Sequence, residues 1–140
     1  MIDKMIEGIK ASMFRPINKS ASIILGLTSI VWGFWVANPF WEVFDQAQVY
    51  HVMNWLADEW AWGLVPMVIG SAMVFAMIAD KFDTLLIAVR AGFYFWVFTA
   101  SCFFIGDWQN TAGIIYSMVA LYCGYVALNL SINRDYYVEE

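Results

Sequence analysis

Charge is scarce in this chain, and basic charge is missing from one long stretch of it. Only 14% of the residues are charged, against about 25% in an average soluble domain. There is a single histidine, His51, so a membrane haem held by two axial histidines within the spans has no ligand set. Cysteine is limited to Cys102 and Cys123. Both fall inside apolar segments, at depths that differ by roughly 13 Å at the helical rise, which argues against an intrachain disulfide. They read as small apolar packing residues. No HExxH, CxxC, GxSxG or glycine-rich phosphate loop occurs, so the motifs for metal, thiol, acyl-transfer or nucleotide chemistry are missing. The expectation is a non-enzyme with no catalytic residue, no cofactor and no metal. The first apolar run carries no carboxylate, which argues against a proton-coupled small multidrug exporter. The 7 basic residues are too few and too close to membrane segments for nucleic-acid binding.

What the chain does have is apolar surface. Hydrophobic residues make up 62% of the 140. A soluble core of that size cannot hide so much; a bilayer can. Ser20–Ala37, Ala61–Ala79, Thr84–Ile105 and Thr111–Ser131 are each long enough to cross about 30 Å of hydrocarbon as a helix. The reading is one membrane domain over 1–140, all-α, with four transmembrane helices. The first run ends in Asn38-Pro39 rather than a small-residue cleavage site, so it reads as a permanent anchor. Pro66 falls in the first turns of the second span, where its missing N–H does little harm.

The segments between the spans are distinct. Over Met1–Phe14, the residues Ile2, Met5, Ile6, Ile9 and Met13 follow helical spacing, opposite Asp3, Lys4, Glu7 and Lys10. This predicts an amphipathic helix on the inner membrane surface, ended by Arg15-Pro16. The loop over 38–60 predicts two short helices with a bend near Gln46–Val49. Trp41, Phe44 and Ala47 form the apolar side of one, and Val49, Val52, Met53, Leu56 and Trp60 that of the other. Each would lie against the membrane as an interfacial helical hairpin. Asp80–Asp83 is a tight inner turn, Gly106–Asn110 an outer turn, and 132–140 a polar inner tail.

Topology follows from the basic residues. With the N-terminus inside, the inner segments carry Lys4, Lys10, Arg15, Lys19, Lys81 and Arg134. Asn38–Gly63 carries Glu42, Asp45, Asp58 and Glu59 but no Lys or Arg. This satisfies the positive-inside rule and predicts a multi-pass protein of the bacterial inner membrane with both termini cytoplasmic.

Three features stand out as candidate sites. Ser22, Gly26, Ser29 and Gly33 form a narrow strip on the first span, and Gly113, Ser117, Ala120, Gly124 and Ala127 form a second on the fourth. Such strips let helices approach closely, either within one bundle or between copies. Arg90 is the one charge well inside a span. It reads either as a side chain that snorkels toward Asp83, Asp80 or lipid phosphate, or as a ligand, ion or gating residue. Trp35, Trp41, Trp55, Trp60, Trp62 and Trp108 all map to the outer boundary, as interface anchors or as a contact patch for a partner.

In its overall layout, and in the stretch MFRPINKSASIILGLTSIVWGFWVANPFW, the chain resembles the small multispan membrane proteins of tailed bacteriophages, including holin-like ones. Holins typically have one to three spans, so four depart from the pattern, and no functional residue is carried over. The function expected is that of a small non-enzymatic membrane protein. It would act by self-association or by anchoring a partner at the Trp-rich loop, with holin-like lysis as one form. The alternatives are a small transporter or channel subunit and an accessory subunit of a larger membrane complex.

Overall fold

A computed structural model describes residues 20–40, 42–46 and 48–135, together with Ile2, Lys4 and Ile6. Those three positions apart, the helix expected over 1–14 lies outside the described residues, as do Trp41 and the tail beyond 135. The described elements are all helices: α1 (Ser20–Val36), α2 (Val43–Gln46), a 3-10 turn (Gln48–Tyr50), α3 (His51–Leu56), α4 (Glu59–Ile78), α5 (Phe82–Gly106) and α6 (Thr111–Ile132). Three of them, α4, α5 and α6, are long and apolar enough to cross a membrane. The remaining apolar helix, α1, has 17 residues, about 25 Å at the helical rise.

Local chemistry sets the boundaries. Asn110 caps α6, its Oδ1 accepting from Ala112 N at 2.7 Å. The C-terminal end of α4 closes with Ala79 N bonded to Phe75 O and Lys81 N to Ala76 O, both at 2.8 Å. That reversal puts Asp80 at φ 50°, a left-handed position that Asp tolerates better than most residues. Asn38 does not cap a new helix. Its Oδ1 accepts from Phe40 N at 2.9 Å, closing a turn. The helix begins later, at Val43, whose N–H donates to Glu59 Oε1 at 2.6 Å. Because α4 already starts at Glu59, Pro66 lies in its interior rather than its first turns.

The helices pack as two antiparallel hairpins, α1 on α4 and α5 on α6, joined by α4 on α5, while α1 and α6 barely touch. Glycine makes the first contact possible. A Cβ added at Gly26 would sit 2.9 Å from Gly70 O, and one at Gly63 would sit 2.5 Å from Gly33 O. The reciprocal positions, Gly33 against Gly63 O and Gly70 against Gly26 O, are tighter still. Backbone therefore lies on backbone over two turns of each helix.

The short helices between α1 and α4 fold inward rather than outward. Val43, Phe44, Val49 and Met53 belong to the buried core, while Leu56 and Trp60 are exposed. This departs from the hairpin expected to lie on the membrane. Its apolar face covers the end of α5, where a Cβ on Gly106 would meet Val49 O at 2.6 Å. The second short helix stops at Leu56, because Ala57 is extended.

Gly70→Ala is expected to push α1 off α4, since the obstructing Gly26 oxygen is backbone and cannot turn aside. Overpacking of this kind costs about 1–3 kcal/mol, measurable as a lower unfolding midpoint in mixed detergent. Gly92→Ala should cost less, because there the neighbour is the flexible end of Met73 at 2.7 Å.

Candidate functional site

The first small-residue strip is covered within the chain, and the second in part. Ser22, Gly26, Ser29 and Gly33 are buried, and the two glycines lie on the backbone of α4. On α6, Gly113 and Gly124 receive rings rather than backbone: an added Cβ would stand 3.0 Å from Phe104 and from Phe93 respectively. Gly113, Ala120 and Ala127 are buried, and Gly124 is half-buried. Ser117 lies at the edge of that contact, its Oγ donating to Gly113 O at 2.8 Å.

The tryptophans divide. Trp35, Trp55, Trp60 and Trp108 are exposed, Trp55 at 80%. Together with exposed Phe40, they mark one end of the bundle. A cleft of about 320 Å³ opens there between Asn38, Pro39, Glu42, Glu59 and Trp60. Trp62 is different and corrects the expectation of an interface anchor. It is buried, stacked on Phe98 at 5.7 Å, and its Nε1 donates to Met53 O at 2.9 Å. The indole N–H needs an acceptor when buried, and the inward-folded α3 supplies one.

Two indoles that the boundary pattern does not mark, Trp32 and Trp96, lie at the centre. Trp32 Nε1 donates to Tyr116 Oη at 2.8 Å, tying α1 to α6. Trp96 stacks on Tyr116 at 5.6 Å and meets Trp32 edge-on at 5.3 Å. Phe103 continues the array from Tyr116 to Tyr50, and Tyr50 stacks on Phe44. Edge-to-face and offset pairs of this kind each add about 0.5–1.5 kcal/mol beyond the area they bury. The signal for Trp96 was its depth, about 15 Å from the end of α5 at the helical rise, too far in for a boundary belt. Asn129 is also fully buried in α6, and accepts from Asn133 Nδ2 at its backbone oxygen, 3.0 Å away.

Arg90 is exposed and donates from Nη2 to Ser131 Oγ at 3.1 Å. Ser131 Oγ in turn donates to Ala127 O at 2.7 Å. Asp83, one of the acids expected to attract Arg90, is instead paired with Arg134 at 2.9 Å. His51 is exposed on α3. Cys102 and Cys123 are buried free thiols.

No family model, curated protein or solved structure matches the chain.

Two predictions follow from the aromatic array. Burial raises the Tyr50 phenol to about 12, with the nearby Tyr116 and Glu59 adding to the shift. The folded state then holds a proton that the unfolded chain releases near pH 10. Stability should be undiminished below pH 10 and fall as the pH rises toward 12. Tyr50→Phe should remove its share of that fall in thermal unfolding measured between those values. Separately, Trp96 Nε1 and Thr99 Oγ1 are buried without a hydrogen-bond partner. An unmet buried polar group costs about 1–3 kcal/mol. Thr99→Val, which keeps the shape and removes the hydroxyl, should therefore leave the unfolding midpoint unchanged or raise it.

Proposed function

We propose that this chain is a four-span, non-enzymatic membrane protein with both termini cytoplasmic, and that it anchors a protein partner at its outer, indole-rich end. The observation that carries this reading is the mounting of that end. Phe40, Trp55, Trp60 and Trp108 are exposed, yet the segment bearing Trp55 is held from below. Trp62 bonds to Met53 O, Glu59 to Val43 N, and Tyr50 sits against Phe103. A rim of aromatic side chains on a fixed support suits recognition, because little conformational entropy is lost on contact. Support for the fourth span comes from the contact of α1 with α4 through Gly26 and Gly33. The orientation rests on the sequence between Asn38 and Gly63, which has four acids and no basic residue.

Self-association is the less favoured form, because the α1 strip is already occupied by α4 and the α6 strip is seated in part on Phe93 and Phe104. The centre of the bundle is packed with Trp32, Trp96, Phe95, Phe103 and Tyr116, which weighs against a conduction path. An accessory subunit of a larger membrane complex is a form of the anchoring reading. Two measurements test it together. Vesicles containing the purified protein are expected to retain an entrapped dye. A photo-reactive residue in place of Trp55 is expected to give one discrete heteromeric product in intact cells, and the same residue in place of the lipid-facing Ile115 none. Dye release without such a product would replace anchoring by a holin-like, pore-forming role.

A further inference from the structure

The α5–α6 hairpin carries an apolar groove of about 360 Å³ on its outer side, lined by Phe93, Val97, Phe104, Ser117 and Leu121 among others. A volume of that order is typical of a small-ligand site. On α5 the residues Phe93, Val97 and Phe104 repeat at helical spacing, and Arg90 is the next position of the same stripe, one turn below Phe93. On α6 the matching stripe runs from Ser117 through Leu121 and Gly124, whose backbone lies against the Phe93 ring, toward Ser131. The guanidinium bonded to Ser131 Oγ therefore lies on the same side of the hairpin as the groove, beyond its Phe93 end and nearer the ends of the helices. Ser131 is the penultimate residue of α6, so the charge has been carried from its place inside the span to the level where the helices end.

Arg90 also has unused bonding capacity. A guanidinium has five N–H donors in a fixed fork. Among the described residues Arg90 makes one hydrogen bond, to a neutral hydroxyl, and no ion pair. Of the acids at this end, Asp83 is paired with Arg134. A cation with no carboxylate, next to a serine hydroxyl and in line with an apolar groove on the same side of the hairpin, matches one kind of molecule. It needs a phosphate at one end and a hydrocarbon chain at the other.

We propose that Arg90, Ser131 and the α5–α6 groove form a binding site for an anionic phospholipid of the leaflet at the Lys81 end. The phosphate sits on the Arg90 fork and Ser131, and one acyl chain runs past Phe93 into the groove between Val97 and Leu121. From Phe93 to Phe104 the groove extends about 16 Å along α5, close to one leaflet of a hydrocarbon core about 30 Å thick. Basic pockets between membrane helices recognise anionic headgroups in this way.

The test offers detergent-solubilised protein an equimolar mixture of phosphatidylglycerol and phosphatidylcholine with identical chains, and counts bound lipid by native mass spectrometry. The wild type is expected to retain phosphatidylglycerol over phosphatidylcholine by roughly tenfold, as a charge-assisted contact of moderate strength would give. Arg90→Gln should abolish that preference, and Arg90→Lys should keep part of it. Ser101→Phe, which fills the groove from its exposed side, should lower retention of both lipids. The paired change Asp83→Asn with Arg134→Gln should leave the preference intact, because it removes an ion pair as a unit and frees no carboxylate. Four results would overturn the site: equal retention by the wild type, a preference that survives Arg90→Gln, an equal loss in the paired Asp83→Asn and Arg134→Gln variant, or displacement of the lipid by soluble glycerol phosphate. Retention unaffected by Ser101→Phe would remove the groove from it.

Discussion

In a bilayer the lipid tails are as apolar as the helices, so apolar surface alone does not bring helices together. What remains is close packing, and here it is backbone on backbone between Gly26–Gly33 of α1 and Gly63–Gly70 of α4. Much of the structure follows from that contact. The seam uses one narrow face of α1, and successive residues are rotated by about 100° around a helix. Trp32, next to Gly33, is therefore carried off the seam and toward α5 and α6, where it meets Trp96 and Tyr116. A side chain larger than hydrogen at either glycine of a pair would separate the helices and withdraw the indole from its partners.

The hairpin between α1 and α4 uses the same economy of space at the indole-rich end. It spans the gap between two helices in close contact, and its apolar residues have two apolar media available, lipid and protein. They take protein because protein also offers hydrogen-bond partners. Trp62 Nε1 finds Met53 O, and Val43 N finds the Glu59 carboxylate. Such partners are scarce in hydrocarbon, so polar groups of this segment bias where its apolar face goes.

That bias is why the fold was more legible in the sequence than the candidate site. Helix ends rest on local signals such as Asn38-Pro39, Asp80 and Asn110, and the bounds of α1, α5 and α6 lie within two residues of those expected. The strips of small residues were equally legible, being a spacing along one helix. The facing of the hairpin was not. An amphipathic pattern says which side is apolar and is silent on whether lipid or protein covers it. Trp62 shares a boundary position with Trp60, yet one is buried and the other exposed. The difference is an acceptor nine residues away, on a segment whose path is itself tertiary. The same holds for Arg90. Charge and depth gave the snorkelling expectation, but its partner depended on the register of α6, which brings Arg134 to Asp83 and leaves Ser131 to Arg90.

The two hairpins differ in how they cohere, and this locates the weakest seam of the bundle. The α1–α4 pair is held by close backbone contact, and the α5–α6 pair by rings seated on Gly113 and Gly124. Between α1 and α6 there is little direct packing, and a groove lined by Ile24, Thr28, Ile115 and Met118 separates them. Beside it, the Trp32–Tyr116 hydrogen bond joins the two helices. Interhelical side-chain bonds in membranes average only about 0.6 kcal/mol, too little to hold two helices alone. This one acts with the stacking of Tyr116 on Trp96 and the edge contact of Trp32 with Phe95. The ring array sets the distance between the hairpins, and the hydrogen bond selects the one orientation of the two rings in which the indole N–H is not left bare. The bundle is thus closed by aromatic geometry where it lacks small residues, and by small residues where it lacks aromatic ones.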